Sequence, residues 1–293
     1  MPCPDGANQN YSMGRAGARR PDDPRLAEAF TRQWDLIVAG VDALDDALFA
    51  ASSALPGWTT ADLVAHCARS GGALARALID APPTPTAAAA GRGEARASDA
   101  GVANAVEYVG GVGARAEAIA DTARSDAAGM SPNDLRSLLR AAVAASRGAL
   151  TAATVDQPAG QTAWDLVATS PGGPIRLGDF VVTRCVEGVV HGLDLGLAPD
   201  RDALRVVTRL LVDLLAVRAP GRSVEVRVPP FAAAQVVEGP RHTRGTPPNV
   251  VEADPVAFVA VAAGRLDWSA ALADGRVTAS GERSDLRPYL PLL

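Results

Sequence analysis

From Leu26 onward the apolar positions Phe30, Trp34, Ile37, Val41, Leu44 and Leu48 recur at steps of four and three, which sets them on one stripe of a long bundle-type helix. Pro56 and Gly57 end that pattern. Thr59, with Asp62 three residues on, forms a capping box for a second helix reaching about Ile79. Pro82, Pro83 and Pro85 stop it, and the low-complexity Ala, Gly and Arg stretch from Ala87 to Ala100 reads as a loop or a frayed helix start. A third helical segment carries Val102, Val106, Val109, Ile119 and Ala123, weakened by Gly110, Gly111 and Gly113. Ser131, Pro132 and Asp134 start a further helix bearing Leu135, Leu138, Leu139, Val143 and Leu150. After the turn-rich Ser170 to Pro174, a last helix of this half runs from about Leu177 to Leu197 with Phe180, Val181, Val186, Val190 and Leu193. Residues 1–22 show no periodicity and read as a disordered tail, too poor in apolar surface to offset its ordering entropy.

Past Pro199 and Asp200 the period changes. One amphipathic helix (Leu204, Val207, Leu211, Leu214, Leu215) is followed by alternating segments at Val224 to Val228, Gln235 to Glu238 and Asn249 to Glu252, which read as strands. Asp254 and Pro255 cap a helix through Ala263, Trp268 opens a short one, Arg276 to Ser280 reads as a strand, and Leu286 to Leu293 is a hydrophobic tail. The expected organisation is an all-α four-helix bundle over 23–199 and an α+β domain over 200–293.

The length of 293 residues agrees with two domains. With aromatics at 4% of residues, the cores must be built from Ala, Leu and Val. The net charge is −5, and the cations, all Arg with no Lys, gather in no basic stripe, which argues against a nucleic-acid partner. Cys3, Cys67 and Cys185 form no even framework and no CxxC pair, so a disulfide scaffold or thiolate zinc site is not expected and a reducing, cytoplasmic setting is. Apolar runs fall far short of the roughly 20 residues of a membrane span, and the polar N-terminus carries no export signal. Gly111 to Gly113 is no nucleotide fingerprint, because no strand precedes it.

Of three histidines, His191 stands four residues after Glu187 on one helix, and His66 stands on the second helix. A Glu and a His at i and i+4 project from one helical face into the same volume, and a third ligand can arrive from a facing helix, for which His66 is the natural candidate. Two neutral imidazoles and a carboxylate suit Zn²⁺ and related divalent ions, and three protein ligands leave positions open for water or substrate. The competing reading pairs Glu187 with Arg184 as an intrahelical ion pair and makes His66 a hydrogen-bonded core residue. Asp194, three residues beyond His191, is positioned to accept from the free ring N–H and fix the tautomer, or else faces solvent. Trp58 either walls the pocket or serves as a staple or core residue. Cys67 and Cys185 lie one and two residues from proposed ligands, steps of about 100° and 200° around a helix, and read as packing residues.

Pro56-Gly57-Trp58-Thr59 with Leu63-Val64-Ala65-His66, and Glu187-Gly188-Val189-Val190-His191-Gly192-Leu193-Asp194, resemble the signatures of the mycothiol-dependent maleylpyruvate isomerase family. The resemblance spans most of residues 25–198 and implies a DinB-like bundle with His66, Glu187 and His191 as ligands of a divalent metal, and mycothiol as cosubstrate. Val250 to Pro255, Gly264-Arg265-Leu266 and Asp274 to Gly281 resemble a bacterial sterol-carrier-type domain, a fold in which a twisted sheet under helices makes an apolar tunnel. Its Leu-rich ends would line such a tunnel or pack on the bundle. Within the loop from Glu238 to Asn249, Arg241, His242 and Arg244 suit an anion, against the plainer reading of an exposed connection. The expected activity is metal-dependent use of a small thiol against a small electrophile, as a transferase or isomerase with no identifiable general base. The alternatives are a carrier of lipid or another apolar ligand with a structural or vestigial metal, and an interaction module whose metal site is closed.

Overall fold

A computed structural model describes residues 25–79, 101–155, 162–240 and 248–293. The expected tail over 1–22, Cys3, the Ala87 to Ala100 stretch, and Arg241, His242 and Arg244 lie outside the described residues.

The first part consists of α1 (Arg25–Asp42), α2 (Thr60–Gly71), α3 (Ala73–Ile79), α4 (Ala105–Gly110), α5 (Ala116–Ala127), α6 (Pro132–Val155) and α7 (Leu177–Asp194). The expected stripe on α1 is the buried face, with Leu26, Phe30, Trp34, Ile37 and Val41 each no more than 2% exposed. α1 packs on α6 and α7, and α2 packs on α5, α6 and α7, so α2 and α7 face one another across the bundle interior.

Local departures from the periodicity have identifiable causes. The α1 stripe does not run on to Leu48, because Arg136 of α6 donates to the carbonyls of Val41 (3.3 Å) and Leu44 (2.6 Å) and pairs with Asp46 (2.6 Å). That guanidinium satisfies carbonyls a longer helix would have bonded internally, and the chain turns into a short 3₁₀ segment, Asp46–Ala50. The second helix is divided at Gly72 into α2 and α3. Ser170 to Pro174 belongs to a feature the helical pattern did not announce, a hairpin of β1 (Val167–Ser170) and β2 (Gly173–Arg176) turning at Pro171 and Gly172, with Gly173 at φ 103° opening β2.

Thr59 and Asp62 form the expected capping box, with Asp62 N–H donating to Thr59 Oγ1 (3.2 Å) and Thr59 N–H to Asp62 Oδ2 (2.8 Å). Replacing Thr59 by Ala should cost about 1 kcal/mol, read as a fall of a few degrees in Tm. An unchanged Tm would show that the box contributes nothing to holding α2.

The second part runs α8 (Arg201–Arg218), β3 (Val224–Val228), β4 (Ala232–Val236), β5 (Val250–Ala253), α9 (Pro255–Ala262), α10 (Trp268–Ala273) and β6 (Val277–Ser280). The sheet order is β4-β3-β5-β6, with β3 and β5 parallel and the outer pairs antiparallel. β4 lies three residues before its expected start, its central residues Ala233, Ala234 and Gln235 lacking the β-branched signal that marks β3. α8 is the seam, packing on α1 and α7 on one side and on β4 and α9 on the other. The buried apolar residues of both parts form one continuous cluster in which Leu286 and Leu292 are buried, so these leucines pack rather than line a tunnel. No helix among the described residues is long and apolar enough to cross a membrane.

Candidate metal centre

α7 is buried on almost every side, and its glycines decide which face meets which neighbour. A Cβ on Gly188 would lie 2.9 Å from Gln33 Cγ and 3.3 Å from the Trp34 ring, and one on Gly192 3.0 Å from Gln33 Nε2. Only glycine lets α1 come so close, and Gln33 bonds the two elements by donating to the Gly188 carbonyl (2.8 Å) and accepting from Asp200 N–H (2.9 Å). With the glycine face on α1, Glu187 and His191 turn toward α2.

There they meet His66. Glu187 Oε2 lies 2.9 Å from His66 Nε2 and 3.5 Å from His191 Nε2, and the two imidazoles stand edge to face with centroids 4.7 Å apart. One nitrogen or oxygen from each of the three residues falls within 4.8 Å of the others. Asp194 Oδ2 is 2.9 Å from His191 Nδ1, so Nε2 is the nitrogen turned toward the cluster. Trp58 sets its ring at right angles to His66, 5.7 Å between centroids.

Two contributors escaped sequence reasoning. Ser70 donates to Glu187 Oε2 (3.0 Å) and lies 3.4 Å from His66 Nε2; its spacing of four from His66 was the available signal. Arg265, beyond α9, grips Asp194 through Nε (3.0 Å) and Nη2 (3.1 Å), so the second part of the chain braces the residue that orients His191. No periodicity links positions 194 and 265. Cys67 and Cys185 are fully buried packing residues, and burial pushes the Cys185 thiol up to about 12. Arg184 is not the side-chain partner of Glu187; its guanidinium lies over the rings of Phe180 and Tyr108.

The electrostatics are asymmetric. Burial alone would raise Glu187, but hydrogen bonds from His191 and His66 and the charge of Arg184 hold it well below the usual carboxylate range. Burial lowers His66, outweighing its bond to Glu187. At His191 burial also opposes charge, yet the bonds to Asp194 and Glu187 prevail and raise it to about 9. Without an ion, the cluster therefore holds an ionised Glu187, a neutral His66 and a protonated His191 at neutral pH. Two imidazole nitrogens and a carboxylate oxygen about a tetrahedral ion with bonds of ~2.1 Å would sit roughly 3.4 Å apart, close to the Glu187–histidine separations of 2.9 and 3.5 Å. The donor set and its spacing fit a divalent cation. Among the described residues the buried His66 Nδ1 has no partner, and none of them fixes this ring from behind as Asp194 fixes His191.

These features define a class: a helical bundle with a two-histidine, one-carboxylate cluster in its interior, joined to a small α+β unit. The model of the mycothiol maleylpyruvate isomerase N-terminal domain matches residues 30–196, more than half of the chain, and that of the bacterial SCP ortholog matches residues 200–292. The chain belongs to the mycothiol maleylpyruvate isomerase family, with a sterol-carrier-type domain at its C-terminal end. Among solved structures it is similar to a mycothiol-dependent maleylpyruvate isomerase, with 20% identity, a TM-score of 0.56, and 88% of this chain and 91% of that one covered. It is also similar to a point mutant of such an isomerase, with 19% identity, a TM-score of 0.55 and the same coverages. At these identities the likeness establishes the fold. No curated protein matches the chain in sequence.

Proposed function

We propose that this protein is a divalent-metal-dependent enzyme that presents a low-molecular-weight thiol to a small electrophile, as a transferase or isomerase. The observation that carries the proposal is the convergence of His66, Glu187 and His191, with donor atoms within 4.8 Å of one another, in the interior of the family's bundle. These three residues would hold the ion, and their donor set favours zinc. When bound, such an ion lowers the pKa of a coordinated thiol and so supplies thiolate at neutral pH. The name of the related isomerases makes mycothiol the thiol of choice.

The chain's own residues prepare the site. Asp194 accepts from His191 Nδ1 and keeps Nε2 directed inward, while Arg265 holds Asp194 ionised and in place. Ser70 donates to Glu187 and orients its carboxylate. Trp58 covers the edge of His66 and limits the approach of water from that side. Glu187 serves as a ligand, which leaves no separate general base assigned. The carrier alternative rests on the sterol-carrier-type match over residues 200–292 alone and is not better supported.

The test is to strip the full-length protein, reload it with Zn²⁺, and follow consumption of mycothiol with a panel of small electrophiles. About one equivalent of metal should bind, and only reloaded protein should accelerate thiol consumption beyond free Zn²⁺. Failure to take up metal would overturn the enzyme reading. Metal uptake without thiol chemistry on any electrophile would overturn the thiol assignment alone.

A further inference from the structure

A second group of charged residues lies beside the metal cluster and makes no hydrogen bond to it among the described residues. Arg184 occupies the same face of α7 as Glu187 and His191, about 4.5 Å along the axis from Glu187. It is only 6% exposed, yet its guanidinium makes one hydrogen bond, from Nε to Thr183 Oγ1 at 3.2 Å. Among the described residues nothing accepts from its terminal nitrogens, and those nitrogens are not sealed from solvent. The guanidinium instead rests on aromatic rings, 4.9 Å from the Phe180 centroid and 6.0 Å from that of Tyr108. Arg115, which has no carboxylate partner among the described residues, lies 4.8 Å from the Tyr108 centroid.

The platform is built for this stacking. The Tyr108 and Phe180 rings meet edge-on with centroids 6.1 Å apart. A Cβ on Gly172 would lie 2.5 Å from Tyr108 Cε2 and 3.0 Å from Arg115 Nη1, so glycine there makes room for ring and guanidinium together. Arg76 lies close enough to feel the charge of Arg184, being lowered first by burial and then by the charges of Arg69 and Arg184.

A largely buried guanidinium is unfavourable unless it is paired, and stacking on rings returns only part of that cost. Glu187 offsets part of this at a distance, but its contacts are already taken by His66, His191 and Ser70. The free terminal nitrogens of a stacked guanidinium form a planar fork that matches a carboxylate. We propose that Arg184 and Arg115, on the Tyr108 and Phe180 platform, form an oxyanion subsite that holds a carboxylate of the small molecule whose other end reaches the metal cluster. The inference deepens the proposed function and depends on it only for what happens at that other end.

Calorimetric titration of the metal-stripped full-length chain with succinate, inorganic phosphate and the uncharged succinamide tests it apart from metal chemistry. Succinate should bind saturably and the amide should not. Arg184→Met, which keeps the stacked stem and removes the charge, should weaken succinate about tenfold or more. Arg115→Met should weaken it less, and Arg124→Met, on exposed α5, should leave it unchanged. All three variants should still take up metal. No saturable binding to the wild-type chain, or equal affinity in Arg184→Met and Arg115→Met, overturns the proposal. So does loss of metal uptake in Arg184→Met, which would mark a folding role. If Arg184→Met does not fold, Arg184→Lys and Arg115→Met decide in its place, and unchanged affinity in both overturns it. Phosphate binding as tightly as succinate overturns the carboxylate assignment.

Discussion

His66→Ala and His191→Ala, stripped and reloaded with Zn²⁺, are each expected to retain almost no metal by elemental analysis where the wild-type chain holds about one equivalent. On the proposed set of three protein ligands, losing either histidine leaves two, and the neighbouring groups are poor replacements: Cys67 and Cys185 are buried in the packing, Ser70 offers only a neutral hydroxyl, and Asp194 is held by Arg265. The series gains force from a milder member. Asp194→Asn keeps the shape of the residue that orients His191 but removes the charge Arg265 grips, and should weaken metal by roughly 10–100-fold. A graded outcome, with total loss for the histidines and partial loss for Asp194, is the signature of ligands backed by an orienting carboxylate. Equal retention in His66→Ala and wild type would remove His66 from the ligand set, and with it the argument from convergence.

The largest effect on stability is expected at Trp34. This residue is fully buried, and a Cβ added to Gly71 or Gly188 would lie 3.0 and 3.3 Å from its ring, so it is wedged where α1, α2 and α7 meet. Its Nε1 donates to the Arg184 carbonyl at 3.2 Å. Trp34→Ala should cost about 3–5 kcal/mol, through lost burial plus a cavity the glycine-lined walls cannot collapse to fill. Trp34→Phe, which forfeits the hydrogen bond and one ring, should cost markedly less. Urea unfolding of the metal-free protein is the measurement, and a loss below about 1 kcal/mol for Trp34→Ala would show that the three-helix junction does not depend on this ring. Because the same side chain sets the spacing of α2 from α7, Trp34→Ala should also loosen metal binding.

Much of this architecture is legible along the chain because helical periodicity and caps are local properties. The stripe from Leu26 to Val41, the Thr59 and Asp62 box, the Asp254 cap of α9 and the alternation of β3 each depend on residues within a few positions of one another. The pairing of Glu187 with His191 is local in the same sense, since i and i+4 share a helical face. What periodicity misreads is equally physical: where α1 stops at Asp42, a distant arginine, Arg136, takes up the carbonyl of Val41 and that of Leu44 just beyond the helix.

By itself the sequence determined the main helical stripes and several helix starts, the change to α+β after Pro199, and the residue types able to hold a cation, because spacing and side-chain chemistry are written along the chain. The tertiary structure alone decided that Gly188 and Gly192 face α1, so that Glu187 turns to His66 on α2. It also brought Arg265 onto Asp194, and left Arg184 on an aromatic platform instead of pairing with Glu187. These contacts join residues far apart in the chain, and they arise from how closely helices can approach and which faces they present. No local pattern records that.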